Sequence, residues 1–218
     1  MAQYTGIILT GGASRRMGCD KALVQLAGKP VIARLADELT RLAGSTVIAC
    51  GPQQRREYGF LMLPQITDAY PGCGPLAGLH AALSHSRTEW NLVAACDLPF
   101  ASAEFLQYIL SCHAEAYPQS SGTAASLVAD AAVAVSVEGR VQPLLGLYHK
   151  RVLPAIEAAL SSGNYKVMDC LKTLNVLYVP ESDFGTASPS VPSPLYNMNT
   201  PEEYAAAAQL VPRPTKRQ

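Results

Sequence analysis

Residues 4–30 read YTGIILTGGASRRMGCDKALVQLAGKP, and the architecture follows from how they divide. Gly6-Ile7-Ile8-Leu9-Thr10 is apolar, rich in β-branched residues and too brief for a helix, so it predicts a buried strand that ends at Gly11-Gly12. The strand opens into a loop that carries Arg15, Arg16 and Lys21 and a single acid, Asp20. Glycines without a Cβ let a phosphate approach the main chain, and successive backbone N–H groups can then point at the anion. Strand, glycine pair and cations together predict a polyphosphate cradle. Spacing separates it from two better-known phosphate loops. A Walker A loop needs Gly, four residues, then Gly-Lys-Ser/Thr, whereas Gly28-Lys29 is followed by Pro30 and Leu23 stands where the first glycine belongs. The dinucleotide pattern G-x-G-x-x-G is absent too, because Gly11 and Gly12 are adjacent and Gly72-Cys73-Gly74 is followed by Gly78, one residue late.

Leu9-Thr10-Gly11-Gly12-Ala13-Ser14-Arg15-Arg16-Met17-Gly18-Cys19-Asp20-Lys21, followed by Gly28-Lys29-Pro30, resembles the signature of the molybdenum cofactor guanylyltransferases, the MobA family of Rossmann-like nucleotidyltransferases. The loop alone leaves base and acceptor open, and its plainer reading is a solvated turn of glycines and arginines.

Length and composition bound the rest. A chain of 218 residues suits one core that buries roughly 70 to 75% of the unfolded surface. The expected organisation is a single nucleotidyltransferase domain over residues 1–210 and a disordered tail over 211–218. Hydrophobic residues at 49% against charged residues at 16% speak against extensive disorder. Lys plus Arg equals Asp plus Glu at 17 each, which excludes a general polyanion binder, so no nucleic-acid partner is expected. Apolar runs near the start are too short for a signal peptide core or a membrane span, and a cytoplasmic protein is the expectation. The six cysteines contain no C-x-x-C pair, and His80 and His85 are too far apart in register to share a helical face, so neither a zinc site nor a redox motif is suggested.

Along the chain, Pro30 opens a helix carrying Val31, Leu35, Leu39 and Leu42, which ends at Gly44. Thr46 to Cys50 predicts a second buried strand, and Gly59 to Leu63 a short third one. Thr67 to Gly78 is a turn-rich loop opening a helix at Pro75, with Leu76, Leu79 and Leu83 on its apolar face. Trp90 to Ala95 is a strand that runs into Cys96-Asp97-Leu98-Pro99, and Ser102 to Ala116 a helix. Ala132–Val137 and Val141–Tyr148 flank Glu138-Gly139-Arg140 as a hairpin. A helix around Val152–Leu160, another over Lys166–Leu174 and a strand over Val176–Val179 follow. Thr200-Pro201-Glu202-Glu203 then starts a last helix with a cap, a first-turn proline and a capping-box glutamate. Alternation of strands and helices predicts a three-layer α/β/α fold on a mostly parallel twisted sheet.

Ligands of open α/β sheets bind beyond the carboxyl ends of the strands, which is where Gly11, Gly12 and Asp97 fall. An acid beside a phosphate cradle repels the ligand unless a divalent cation lies between them, so Asp97 is the expected Mg²⁺ ligand. Its alternative, a helix cap, is weakened because Ser102 can serve as the cap. The resemblance points the same way, its Asp at this place binding magnesium, and it extends over Gly6 to about Glu203. It implies GMP transfer from GTP to the terminal phosphate of molybdopterin carrying molybdenum, with Arg16, Lys21 and Asp97 catalytic. Leu9, Thr10, Gly11, Gly12, Lys21, Asp68, Gly74 and Asp97 would bind the nucleotide. Asp68 is alternatively an ordinary turn residue. Gln142, Asn197 and Asn199 resemble acceptor-binding positions; otherwise Gln142-Pro143 marks an edge strand and the asparagines a turn before a helix. Arg15 is less well placed than Arg16, which adjoins Met17 as the family pattern requires. Thr10-Gly11-Gly12 leans toward guanylyl over cytidylyl transfer, but Ala49-Cys50-Gly51 lacks an asparagine that some relatives carry there. The alternatives are another nucleotidyltransferase, with CTP or with a sugar or cobinamide phosphate, and a non-catalytic GTP-binding regulator. The resemblance leaves room for transient contacts with molybdenum cofactor proteins.

Overall fold

In the computed structural model, which describes residues 4–10, 20–118, 128–184 and 192–211, the first strand, β1 (Thr5–Leu9), is buried along its whole length. Its side chains alternate between two cores, Ile8 entering one and Ile7 and Leu9 the other, as the period of a strand requires. A strand with both faces covered reads as a continuous apolar run, and that is why Gly6 to Leu9 was legible.

Seven strands form the sheet in the order β5-β4-β1-β6-β8-β7-β9. They are β1, β4 (Ser45–Ala49), β5 (Gln65–Ile66), β6 (Trp90–Ala95), β7 (Ala131–Val135), β8 (Val141–His149) and β9 (Val176–Pro180). Only β8 runs against the others: it is antiparallel to β6 and β7, while β1, β4, β5 and β6 pair in parallel and so do β7 and β9. Helices α1 (Val31–Thr40), α3 (Ala103–Ala116) and α6 (Pro201–Leu210) supply the core on one face. Helices α2 (Pro75–His85), α4 (Leu153–Ser161) and α5 (Val167–Leu171) supply the other. The expected three layers and mostly parallel sheet are present. No helix among the described residues is long and apolar enough to cross a membrane.

Three local outcomes differ from the sequence reading. Gly59 to Leu63 is not a strand: Arg56–Leu61 is a 3-10 helix, Met62 follows at φ 52°, and strand pairing waits for Gln65–Ile66. The run is apolar, but Phe60 is 56% and Met62 91% exposed, so its composition did not report burial. The helix expected over Lys166–Leu174 is shortened to Val167–Leu171. Between Lys21 and α1 the chain inserts a small hairpin, β2 (Gln25–Leu26) with β3 (Lys29–Pro30), turned by Ala27 and Gly28 at φ 49° and 80°. Such a turn needs two positive φ values in succession, which explains the glycine. Arg34 of α1 staples it by donating to the Leu26 carbonyl from Nε at 3.2 Å and Nη2 at 2.6 Å.

This topology creates one crevice. From β1 the chain crosses to β4 and β5 on one side, then returns past β1 to β6 on the other, so strand order reverses between β1 and β6. Loops leaving the carboxyl ends of those two strands diverge, and the gap between them is where an open α/β sheet binds its ligand.

Candidate active site

The two strand ends are tied in register. Leu9 pairs with Ala49 on one side and Ala95 on the other. Cys96 N donates to the Leu9 carbonyl at 3.0 Å, while Thr10 donates to the Ala49 carbonyl from its backbone N at 3.1 Å and from Oγ1 at 2.9 Å. Leu9 and Thr10 are thereby fixed between β4 and β6, and Asp97 begins its loop two residues past the end of β6. Gly11, Gly12, Arg15 and Arg16 lie outside the described residues.

Lys21 begins a 3-10 turn, Lys21–Leu23, which Asp20 caps by accepting from Ala22 N at 3.0 Å. Its ammonium donates to Asn199 Oδ1 at 2.9 Å, across 178 residues of chain. Asn199 arrives on an extended segment pinned at Met198, whose side chain is fully buried and whose N donates to the Asp97 carbonyl at 2.8 Å. The capping box of α6 holds the other end. Glu203 Oε2 accepts from Asn199 N at 2.6 Å and Thr200 N at 2.9 Å, while Thr200 Oγ1 accepts from Glu203 N at 3.2 Å.

Lys21 and Asp97 therefore share one end of the sheet, and their electrostatics agree. Burial raises the Asp97 carboxyl above its ordinary range, and the Lys21 charge partly offsets the rise. The buried Cys96 thiol is pushed up by burial and, in turn, by the negative charges of Asp97 and Asp20. A carboxylate so placed is short of positive charge, and its chemistry would suit a divalent cation. Among the described residues no group of three or more His, Cys, Asp and Glu side chains could hold a metal by itself. One carboxylate completed by phosphate and water is a donor set that Mg²⁺ accepts.

Asp68 and Gly74 sit on the other side of β1. Asp68 N donates to the Gly51 carbonyl at 2.8 Å, but its Oδ1 is buried without a hydrogen-bond partner, and burial raises its carboxyl. An unpartnered acceptor of this kind costs free energy that a ligand N–H or O–H can restore. Gly74 precedes α2 at φ 69°, and one turn on α2 lies beside Leu9 and Asp68, where a Cβ at Gly78 would make ordinary contact with Leu9 Cδ2 at 3.4 Å and Asp68 Oδ1 at 3.7 Å.

Gln142 and Asn197 meet elsewhere. Both line a cavity of about 270 Å³ between the β7–β8 hairpin and the segment before α6, together with Arg140, Tyr196 and Glu203. Asn199 is not among its lining residues and turns to Lys21 instead. Glu203, which lines that cavity and accepts from Asn199 N, joins the two.

Residues 6–176 match the MobA-like NTP transferase domain. The chain belongs to that family. Two of its MobA-like relatives, the molybdenum cofactor guanylyltransferases of Vibrio cholerae and Vibrio campbellii, are 35% and 34% identical over 208 and 212 residues. The matches cover 94% and 95% of this chain and 92% and 96% of theirs. The crystal structure of molybdopterin-guanine dinucleotide biosynthesis protein A from Archaeoglobus fulgidus superimposes with a TM-score of 0.75 at 27% identity, over 94% of this chain and 97% of that one. A cytidylyltransferase acting on 2-C-methyl-D-erythritol 4-phosphate, from Thermus thermophilus, gives a TM-score of 0.64 at 16% identity over 94% and 96%, a likeness of fold alone. As a MobA-like nucleotidyltransferase the chain also contains polar groups at this end of the sheet that the sequence reading passed over. Tyr58 and Arg55 reach Asp20 from the segment between β4 and β5, and the one signal was a lone tyrosine beside Arg55, Arg56 and Glu57.

Proposed function

We propose that this chain transfers GMP from GTP to the terminal phosphate of molybdopterin carrying molybdenum, giving the guanine dinucleotide cofactor and pyrophosphate. The observation that carries the reading is the convergence of Lys21, Asn199 and Asp97 at the carboxyl ends of β1 and β6, beside the start of the glycine loop. An acceptor phosphate oxygen forms the new bond to the α-phosphorus as the bond to the β-phosphate oxygen breaks, and pyrophosphate leaves with that electron pair. The nucleophile is already anionic near neutral pH, so no strong general base is needed. The obstacle is bringing an anion to a polyanion, and positioning with charge neutralisation must overcome it.

In this reading Arg16 and Lys21 hold the triphosphate and the leaving pyrophosphate, and backbone N–H groups of Gly11 and Gly12 receive phosphate oxygens. Asp97 would hold Mg²⁺, which when bound neutralises charge at the α-phosphate. Leu9 and Thr10 shape the nucleotide side of the crevice. The unpartnered Asp68 Oδ1 takes a donor from base or ribose, and Gly74 lets the backbone before α2 come close. Gln142 and Asn197 receive the pterin end of the acceptor. Asn199 keeps Lys21 extended between the two substrates. The setting is the cytoplasm, with the reduced thiols expected there.

Purified protein with Mg²⁺ and each labelled nucleoside triphosphate, assayed with and without molybdopterin, tests the proposal. Pyrophosphate release with GTP that depends on molybdopterin is the expected result. Release with CTP instead, or release that only a sugar phosphate supports, moves the chain to a neighbouring activity. GTP binding with no release for any acceptor makes it a regulator.

A further inference from the structure

Asp20, the residue before Lys21, is held from three directions. Its Oδ1 accepts from Ala22 N at 3.0 Å. Its Oδ2 accepts from Tyr58 Oη at 2.6 Å and from Arg55 Nη1 at 3.1 Å. The Tyr58 hydroxyl is fixed by burial, and Arg55, with a side chain 43% exposed, is held at its backbone. Tyr58 is 1% exposed and belongs to the core cluster under α1, so its hydroxyl has a fixed position. Burial first, then the Asp20 carboxylate, keeps the phenol protonated far above its ordinary range. Arg55 is gripped through its backbone by Gln65 of the edge strand β5. Arg55 N donates to Gln65 Oε1 at 2.7 Å, and Gln65 Nε2 donates to the Arg55 carbonyl at 3.0 Å. A continuous path of hydrogen bonds therefore runs from the sheet edge through Arg55 and Asp20 to the turn that aims Lys21 at Asn199.

The charge at Asp20 gives this path a purpose. It is the only acid between Thr10 and Lys21, and an unmasked carboxylate there would pair with the neighbouring ammonium and repel a triphosphate. With Oδ2 occupied by a guanidinium and a phenol and Oδ1 by a backbone N–H, the carboxylate is both neutralised and immobile. Lysine carries side-chain rotamer entropy that a fixed base helps it to surrender before ligand arrives.

We propose that Tyr58 and Arg55 are positioning residues that act through the Asp20 carboxylate to hold Lys21 extended and to mask the one negative charge of the phosphate loop. The inference rests on Lys21 contacting the triphosphate, as in the function proposed above. Its test uses Tyr58→Phe and Arg55→Ala, each in the wild-type and in the Lys21→Ala background, with GTP affinity by calorimetry and melting temperature in parallel. Tyr58→Phe removes one hydroxyl and no packing volume. It should weaken GTP about 3- to 10-fold, less than the full worth of a charge-assisted hydrogen bond because Arg55 still holds Asp20, with little further loss once Lys21 is alanine. The acceptor KM should not move. Losses of equal size in both backgrounds would overturn the proposal, since the two residues would then act on general structure. A ligand-free measurement separates this result from the fate of the proposed activity. Acetylation of lysines read by peptide mass spectrometry should label Lys21 about threefold faster in both variants, with exposed Lys166 unchanged. Should the wild type bind no GTP, the proposed activity fails, and an unaltered Lys21 labelling rate in the two variants overturns this inference by itself.

Discussion

Asp97 illustrates how a buried group can be costly to the free protein and useful to the complex. Its carboxyl is raised by burial, so the folded chain binds that proton more tightly than the unfolded chain does. The associated stability is present below the unfolded value and lost as pH rises through the folded one. At neutral pH the ionised side chain is therefore a burden in the metal-free protein. Asp97→Asn should raise the metal-free melting temperature at pH 7 while lowering turnover on the order of 10²-fold or more. Calorimetry and the pyrophosphate assay check the two halves of that expectation, and activity within about tenfold of wild type removes Asp97 from the mechanism. Lys21 acts on the same group. Its charge draws the Asp97 carboxyl down, so Lys21→Ala should shift the acid limb of the pH–rate profile to higher pH, besides costing on the order of 10²-fold in turnover. An acid limb that stays in place in the variant disconnects the two residues.

At the scale of elements, two positions decide whether the site is held in place. Gly146 lies in the middle of β8, opposite Val93 of β6 and Val133 of β7, where the register shifts between Val133 and Ala134. A Cβ there would come within 2.2 Å of the Ala132 carbonyl oxygen, so Gly146→Ala should destabilise by about 1–3 kcal/mol or more, read as a lower denaturation midpoint. Thr200 caps α6, and Thr200→Ala should cost about 1 kcal/mol. Because Glu203 also receives the Asn199 N–H, the same variant should loosen Lys21 and lower turnover severalfold at a temperature where the chain remains folded. Elements with a strong local cause were legible in the sequence: β1 and β6 from continuous apolar runs, α2 and α6 from a proline at the first turn, α3 from Ser102, which accepts from Phe105 N at 3.2 Å. Edge structure was not. Gly59 to Leu63 has the composition of a strand, but Met62 N turns back to the Gly59 carbonyl at 3.1 Å, and the Gln65 side chain closes on the Arg55 backbone across the loop that contains the run. The convergence of Lys21 and Asp97 was foreseeable from topology, since both follow strands that flank the switch in strand order. The reach of Asn199 to Lys21 was not, because it depends on the intervening Met198 being drawn into the core, which turns the asparagines on either side of it outward.

Across the whole molecule, that short segment before α6 touches both halves of the crevice. Leu195, Tyr196 and Asn197 line the cavity against the β7–β8 hairpin, while Met198 N binds the Asp97 carbonyl and Asn199 receives Lys21. The parallel half of the sheet, β5-β4-β1-β6, carries Asp68, Gly74, Lys21 and Asp97; the half built on β8 and β7 carries Gln142. A donor nucleotide and an acceptor can thus be read by different strands and still meet at one phosphate. Variants should sort accordingly. Gln142→Ala and Asn197→Ala remove neutral hydrogen-bonding groups worth about 0.5–1.5 kcal/mol each, so each should raise the acceptor KM by roughly 2- to 10-fold and leave GTP affinity unchanged. Asn199→Ala frees the Lys21 ammonium on the nucleotide side and should weaken GTP by a similar factor instead. Substrate titrations of the three variants decide the matter. If Asn197→Ala weakened GTP as much as Asn199→Ala does, the two asparagines would serve one ligand, and the division of the crevice between the two halves of the sheet would have to be abandoned.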